Sequence, residues 1–120
     1  MHELGIVCEV VKQVEQLAKE NDVEKVTELT IEVGEVSGVV KEYFLDAFKW
    51  FVKKSEYMKE CELEYVPTQG ISYCEDCKKT YPTTKFGKEC PFCHSNRTYL
   101  VSGQEVKIKD IQVQNKQKEK

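Results

Sequence analysis

Residues 69–101, "QGISYCEDCKKTYPTTKFGKECPFCHSNRTYLV", decide how this chain of 120 residues is organised. Within them Cys74-Glu75-Asp76-Cys77 and Cys90-Pro91-Phe92-Cys93 stand twelve residues apart. Two Cys-x2-Cys turns at this separation have the spacing of a four-thiolate, tetrahedral zinc site. Each turn presents two sulfurs to one ion, and the segment between them returns the chain as a hairpin. A module of about 30 residues is too short to fold on a hydrophobic core alone. Metal binding, worth on the order of 10–16 kcal/mol, supplies the missing stability. All four positions are cysteine, so the site is closed and leaves no place for a catalytic water. Its expected role is structural.

Other readings of the module carry less weight. Four thiolates also hold iron, as in rubredoxin-type sites, and colour separates the two metals. Disulfide exchange by the pairs is disfavoured, because four thiols converge on one hairpin. Cys90 to His94 satisfies the Cys-x2-Cys-His pattern of covalent haem attachment. The first cysteine pair, however, already accounts for Cys90 and Cys93, and His94 reads as a surface residue beside the sulfurs. Lys78, Lys79, Lys85, Lys88 and Arg97 make the module locally basic. A four-thiolate zinc site itself carries about −2, so basic neighbours are expected in any case. Tyr73, Tyr81, Phe86 and Tyr99 are fit to stack on bases, but in so small a module they more often form its few core contacts. A zinc-ribbon nucleic-acid-binding module is therefore the alternative function, and the net charge of −3 counts against it.

Outward from the module the pattern is that of a small α+β protein. Val7, Val10, Val11, Val14, Leu17 and Ala18 follow helical spacing over residues 4–20, and Asn21-Asp22 supplies a stop. "ELTIEV" at 28–33 alternates as a strand, and "GEVSG" at 34–38 is a turn-rich link. A second helix is expected over 40–54, with Phe44, Ala47, Phe48 and Phe51 as its densest stripe. "CELEYV" at 61–66 and "EVKIKDIQV" at 105–113 alternate again, the latter slipping by one near Asp110 as at a β-bulge. If those two strands are neighbours, Glu62 and Glu64 face Lys107 and Lys109. Cys8 and Cys61 lie outside the metal spacing and read as buried small hydrophobes.

The expected fold is thus a small mixed three-stranded sheet with two helices, plus an inserted zinc-ribbon (rubredoxin-like) module. Residues 1–68 and 102–114 form the α+β domain, 69–101 the zinc-binding module, and 115–120 a disordered tail. No apolar run approaches the length of a membrane span, and His2-Glu3 stands where a signal peptide has basic residues. The chain is therefore expected in the cytoplasm, where cysteines serve as metal ligands or redox groups. No nucleophile–base motif or phosphate loop is present, so it is not expected to be an enzyme.

The amino terminus, Met1-His2-Glu3, carries a second set of metal donors. A free amine, the His2 amide nitrogen and the His2 imidazole can close two chelate rings on one ion. Nitrogen donors in a tetragonal arrangement suit Ni(II) or Cu(II) better than Zn(II). A second residue as large as histidine keeps Met1 and its amine in place. Glu3 offers its amide nitrogen or its carboxylate. Taken alone, a terminal histidine is usually solvated and idle.

"MHE" at the start, "IEVGEVSGV" at 31–39, "CPFCHS" at 90–95 and "GQEVKIKDIQV" at 103–113 together resemble the HypA/HybF family, the nickel metallochaperones of NiFe-hydrogenase maturation. The resemblance spans nearly the whole chain in order. It implies a carrier of Ni(II) as cargo with a separate structural Zn(II). It maps Cys74, Cys77, Cys90 and Cys93 to the zinc ligands and His2 to the nickel ligand, with Met1 and Glu3 beside it. It also implies the GTPase HypB and the hydrogenase large-subunit precursor as partners, and a monomer or homodimer acting without membrane or nucleic acid. One position departs from the pattern. Val40, followed by Lys41, stands where many members carry an acidic residue, leaving Glu35, Glu42 or Glu3 as substitute carboxylates.

Overall fold

The structure is a computed structural model that describes residues 3–115. Among the described residues nine elements follow one another: α1 (Glu3–Glu20), β1 (Val23–Gly34), α2 (Lys41–Val52), β2 (Glu62–Thr68), β3 (Ile71–Cys74), β4 (Thr80–Pro82), α3 (Thr83–Phe86), β5 (Thr98–Ser102) and β6 (Val106–Asn115). They make two three-stranded sheets, ordered β2-β1-β6 and β4-β3-β5. The chain divides into two compact units. One comprises Met1–Ile31, Val39–Tyr65 and Ile108–Lys120, the other Glu32–Gly38 and Val66–Lys107.

In the first unit α1 buries Val7, Val10, Val11, Val14 and Ala18, the stripe its spacing dictates. Leu17 is the exception and stays 45% exposed at the helix margin. Asn21 ends the helix as expected. Its main-chain N–H and its side-chain amide both donate to the Leu17 carbonyl, at 3.2 and 2.8 Å. The chain then reverses through Asp22 in the left-handed region. α2 packs against α1 and buries Phe44, Ala47, Phe48 and Val52. Phe51, expected in that stripe, is only half-buried. Leu29 and Ile31 of β1 and Met58 complete this core, all fully buried. Each such side chain removed from water contributes about 1.5–3 kcal/mol.

β1 starts at Val23, five residues before its expected beginning. Val23 and Val26 are both buried although three residues apart, a spacing that does not alternate and so hides the strand from a period-two reading. β1 is also the central strand, so β2 and β6 are not neighbours and their glutamates and lysines do not face each other. Lys107 instead pairs with Glu105 on its own flank at 2.8 Å, and the Thr30 hydroxyl donates to Glu64 at 3.4 Å. Hydrogen-bond partners advance together on β1 and β2, Thr30 with Glu64 and Glu35 with Thr68. On β1 and β6 they run in opposite senses, Thr27 with Gln112 and Gly34 with Glu105. The first sheet is therefore mixed, parallel at β2 and antiparallel at β6.

In the second unit β3 is the central strand of an antiparallel sheet, with Tyr73 opposite Thr80 of β4 and Tyr99 of β5. Nearby, three glycines let main chains meet. A Cβ on Gly34 would lie 1.9 Å from the Gly103 carbonyl oxygen, and one on Gly103 (φ +95°) would lie 2.4 Å from the Gly70 Cα. The space admits hydrogen only. Glu35 secures the same corner, its carboxylate accepting the Gly70 N–H at 2.9 Å. Of the tail expected at 115–120, Asn115 still belongs to β6, and residues 116–120 lie outside the described residues.

Candidate metal centre

The two Cys-x2-Cys turns are built alike, for a reason visible in their main chains. In each, the first cysteine's carbonyl accepts an N–H from four residues on, Lys78 to Cys74 at 2.9 Å and His94 to Cys90 at 2.8 Å. Its N–H donates to the carbonyl five residues on, Cys74 to Lys79 at 2.9 Å and Cys90 to Ser95 at 3.0 Å. Lys78 and His94 accordingly sit in the left-handed region, at φ +59° and +61°. This closing bend aims both sulfurs of a turn inward. It also explains His94 without any ligand role: it is a turn residue, exposed, with Nδ1 3.6 Å from a Glu89 carboxylate oxygen.

The result is one cluster, in which the Sγ atoms of Cys74, Cys77, Cys90 and Cys93 all lie within 4.8 Å of one another. Cys74 and Cys93 are 3.5 Å apart, as are Cys77 and Cys90. A tetrahedron with Zn–S bonds of about 2.3 Å has sulfurs about 3.8 Å apart, so the cluster needs only small adjustment to hold the ion. The thiols also ionise unequally. Burial pushes Cys90 up, but main-chain N–H donors of Cys93 and Phe92, with the neighbouring thiols, outweigh it and bring Cys90 down to about 7. The Ser95 N–H lowers Cys93, yet burial and the three other thiols carry it up to about 12. Burial and contact with Cys90 likewise raise Cys77. Four close sulfurs do not all become thiolates unless a cation balances them, and binding such a cation expels their protons.

Around the sulfurs lies a clamp that the sequence did not announce. Arg97 reaches Asp76 at 2.9 Å and Glu75 at 3.3 Å, tying the residues inside the first turn to the chain after the second. The Ser95 hydroxyl also bonds Asp76, and the Glu75 N–H donates to the Arg97 carbonyl at 2.9 Å. Arg97 is thereby occupied by carboxylates, not presented for phosphates. Of the four aromatics singled out in the sequence, Tyr81 is buried with its hydroxyl bonded to the Gly87 carbonyl at 2.9 Å. Tyr73 and Tyr99 pair with ring centres 5.4 Å apart, and Phe86 sits edge-on to Tyr81. These are contacts within the module, although Phe86 and Tyr99 stay about half exposed.

Met1 and His2 lie outside the described residues. Glu3 opens α1, and its carboxylate accepts the Val40 N–H at 2.9 Å. Tyr65 is close by. Burial, then the charges of Glu42 and Glu3, hold its phenol above the ordinary value. Glu35, a possible substitute carboxylate, is engaged by Gly70. Cys8 and Cys61 are half-buried, less enclosed than expected. Burial, then Glu28 and Glu62, push the Cys61 thiol up to about 11.

A family profile described as "Hydrogenase/urease nickel incorporation, metallochaperone, hypA" matches residues 1–113. The chain belongs to the HypA family. Hydrogenase maturation factor HypA of Chlorobaculum parvum is 31% identical over 95% of this chain and 100% of that protein. The HypA of a Shewanella species is also 31% identical, over 95% and 96%. Hydrogenase/urease maturation factor HypA of Helicobacter pylori is 27% identical over 94% and 97%. The solution structure of the Ni metallochaperone HypA from Helicobacter pylori superposes with a TM-score of 0.75 at 26% identity, covering 97% of this chain and 100% of that one. The resemblance read from Met1-His2-Glu3, the ribbon and the closing strand thus holds, and the chain is a metallochaperone of nickel incorporation. Its four-cysteine cluster is suited to a structural zinc ion.

Proposed function

We propose that the chain carries Ni(II) at its amino terminus and releases it to the machinery that matures NiFe-hydrogenase. The observation that carries this is the match of residues 1–113 to the nickel-incorporation family, from the first residue of the Met-His-Glu start onward. The Met1 amine, the His2 amide nitrogen and the His2 imidazole form the chelate, with Glu3 beside them. Nitrogen donors of this kind favour Ni(II), and a small, open ligand set lets the ion be handed on. Cys74, Cys77, Cys90 and Cys93 hold Zn(II) and keep it apart from the cargo. Soft thiolates in a closed tetrahedron suit the resident ion, imidazole and amide nitrogens the transient one.

On this reading residues 1–68 and 102–114 form the nickel-carrying part and 69–101 the zinc-binding part. The chain works in the cytoplasm, as monomer or homodimer, and is not an enzyme. It hands nickel to the GTPase HypB and through it to the hydrogenase large-subunit precursor. The name of the Helicobacter pylori relative extends the possible clients to urease. The test is titration of the native-terminus protein with Ni(II), beside His2→Ala, with metal analysis of both. We expect one zinc per chain in each and loss of at least tenfold in nickel affinity for His2→Ala. Equal affinity in the two proteins would sink the assignment.

A further inference from the structure

α2 begins without the usual help. Its N-cap, Val40, is extended (φ −92°, ψ 118°) and has no side chain able to accept an N–H of the first turn. In a capping box the N-cap's own N–H is taken by a glutamate or glutamine three residues further on. Here that residue is Tyr43, which is 62% exposed and cannot serve as the carboxylate acceptor. The acceptor comes instead from another helix: Glu3 Oε2, on the first turn of α1, lies 2.9 Å from the Val40 nitrogen. The negative charge is placed at a helix N-terminus, where the helix dipole favours it. Glu3 is also the residue whose backbone nitrogen follows His2 in the chain. One side chain therefore connects the start of α2 to the peptide that bears the proposed nickel donors.

We propose that Glu3 is a positioning residue: its carboxylate is held by the Val40 N–H and fixes the backbone beside His2, and is not itself a nickel ligand. The proposal rests on the amino-terminal nickel reading above and assigns the one donor choice that reading left open. Valine at position 40 offers its N–H to Glu3 and has no side-chain acceptor for the first turn of α2. Glu3 then contributes to nickel through its amide nitrogen alone. An amide-oxygen acceptor in its place would do the same work, because the clasp needs an acceptor and the metal needs no charge from this side chain.

The test uses the full-length, native-terminus, zinc-loaded protein and Ni(II) alone as probe. Four variants are compared: Glu3→Gln, which keeps an acceptor; Glu3→Ala, which removes it; Val40→Pro, which removes the donor N–H; and the last two combined. We expect Glu3→Gln to keep the wild-type ligand-field spectrum and an affinity within about twofold. Glu3→Ala and Val40→Pro should each weaken nickel binding by about tenfold, the size of one lost helix cap. The double variant should be no worse than either alone. Independently of nickel, exchange of the Val40 amide should speed up in Glu3→Ala and not in Glu3→Gln. A changed spectrum in Glu3→Gln, with Val40→Pro like wild type, would make the carboxylate a ligand and overturn the proposal. Unchanged Val40 exchange in Glu3→Ala would overturn it as well. Failure of the underlying reading looks different: there His2→Ala binds nickel like wild type while the Val40 amide still responds to Glu3→Ala.

Discussion

Cys61 shows how far one residue's chemistry departs from its sequence label. It reads as a buried apolar filler, but its sulfur is half-buried and donates to the Glu62 carbonyl at 3.5 Å. Burial first, then Glu28 and Glu62, raise its thiol to about 11. A raised thiol holds less thiolate at any given pH, and thiolate is the reacting form. At pH 8 it has a few hundredfold less thiolate than an ordinary cysteine of pKa about 8.5. The greater nucleophilicity of a more basic sulfur recovers about tenfold of that. Alkylation of Cys61 by iodoacetamide should therefore run about twentyfold slower than that of glutathione. Glu62→Gln should restore only a small part of the rate, because burial is the largest cause. Peptide mass mapping of the labelled protein checks both, and labelling at the glutathione rate would contradict the burial argument.

At the scale of elements, legibility followed periodicity. α1 and α2 were readable because Val7, Val10, Val11 and Val14, and Phe44, Ala47 and Phe48, repeat at helical spacing and are buried. The first half of β1 was not, since Val23 and Val26 break the alternation while still facing the core. That β1 separates β2 from β6 was likewise invisible, because alternation gives each strand's faces but not its neighbours. In the metal centre the spacing of the cysteines sufficed to bring all four together. The Arg97–Asp76–Ser95 clamp did not show, because it joins residues about twenty apart that carry no periodic signal. The glycines fall between these cases. "GEVSG" read as a turn, yet Gly34 is the last residue of β1 and is demanded by the Gly103 carbonyl, a contact no local pattern encodes. Gly34→Ala should accordingly destabilise the protein by about 3 kcal/mol, since main chain on both sides cannot give way. Gly5, in the first turn of α1 with open space around its Cβ position, is the control. Gly5→Ala should be neutral or stabilising by about 0.5–1 kcal/mol. Urea midpoints at unchanged slope measure both. A Gly34→Ala midpoint equal to wild type would mean that the strand ends are free to separate.

For the whole molecule the decisive contrast lies between the two units' cores. The first rests on aliphatic and aromatic side chains, Val7, Val14, Leu29, Ile31, Phe44 and Met58, all fully enclosed. Around the metal centre the buried cluster is Cys74, Tyr81 and Cys90, with Cys77 packed against it. There, the groups that would bind zinc are also the core. Removing the ion leaves close thiols that repel one another as thiolates, and takes away a contribution on the order of 10 kcal/mol that three or four side chains cannot replace. Chelation of zinc from the intact chain should therefore release amide protection at Ile71–Cys74, at Thr80 and Tyr81, and at Thr98–Ser102. The buried amides of α1 and of β1 up to Ile31 should keep theirs, because their protection comes from apolar burial that the metal does not touch. Hydrogen exchange on the same sample before and after chelation separates the cases segment by segment. Cys90→Ser, which removes a fully buried sulfur of the cluster, should reproduce the chelated pattern without any chelator. Protection that survives at Ile71–Cys74 in both experiments would show that the β4-β3-β5 sheet stands on its strand pairing and that the four cysteines serve something other than its stability.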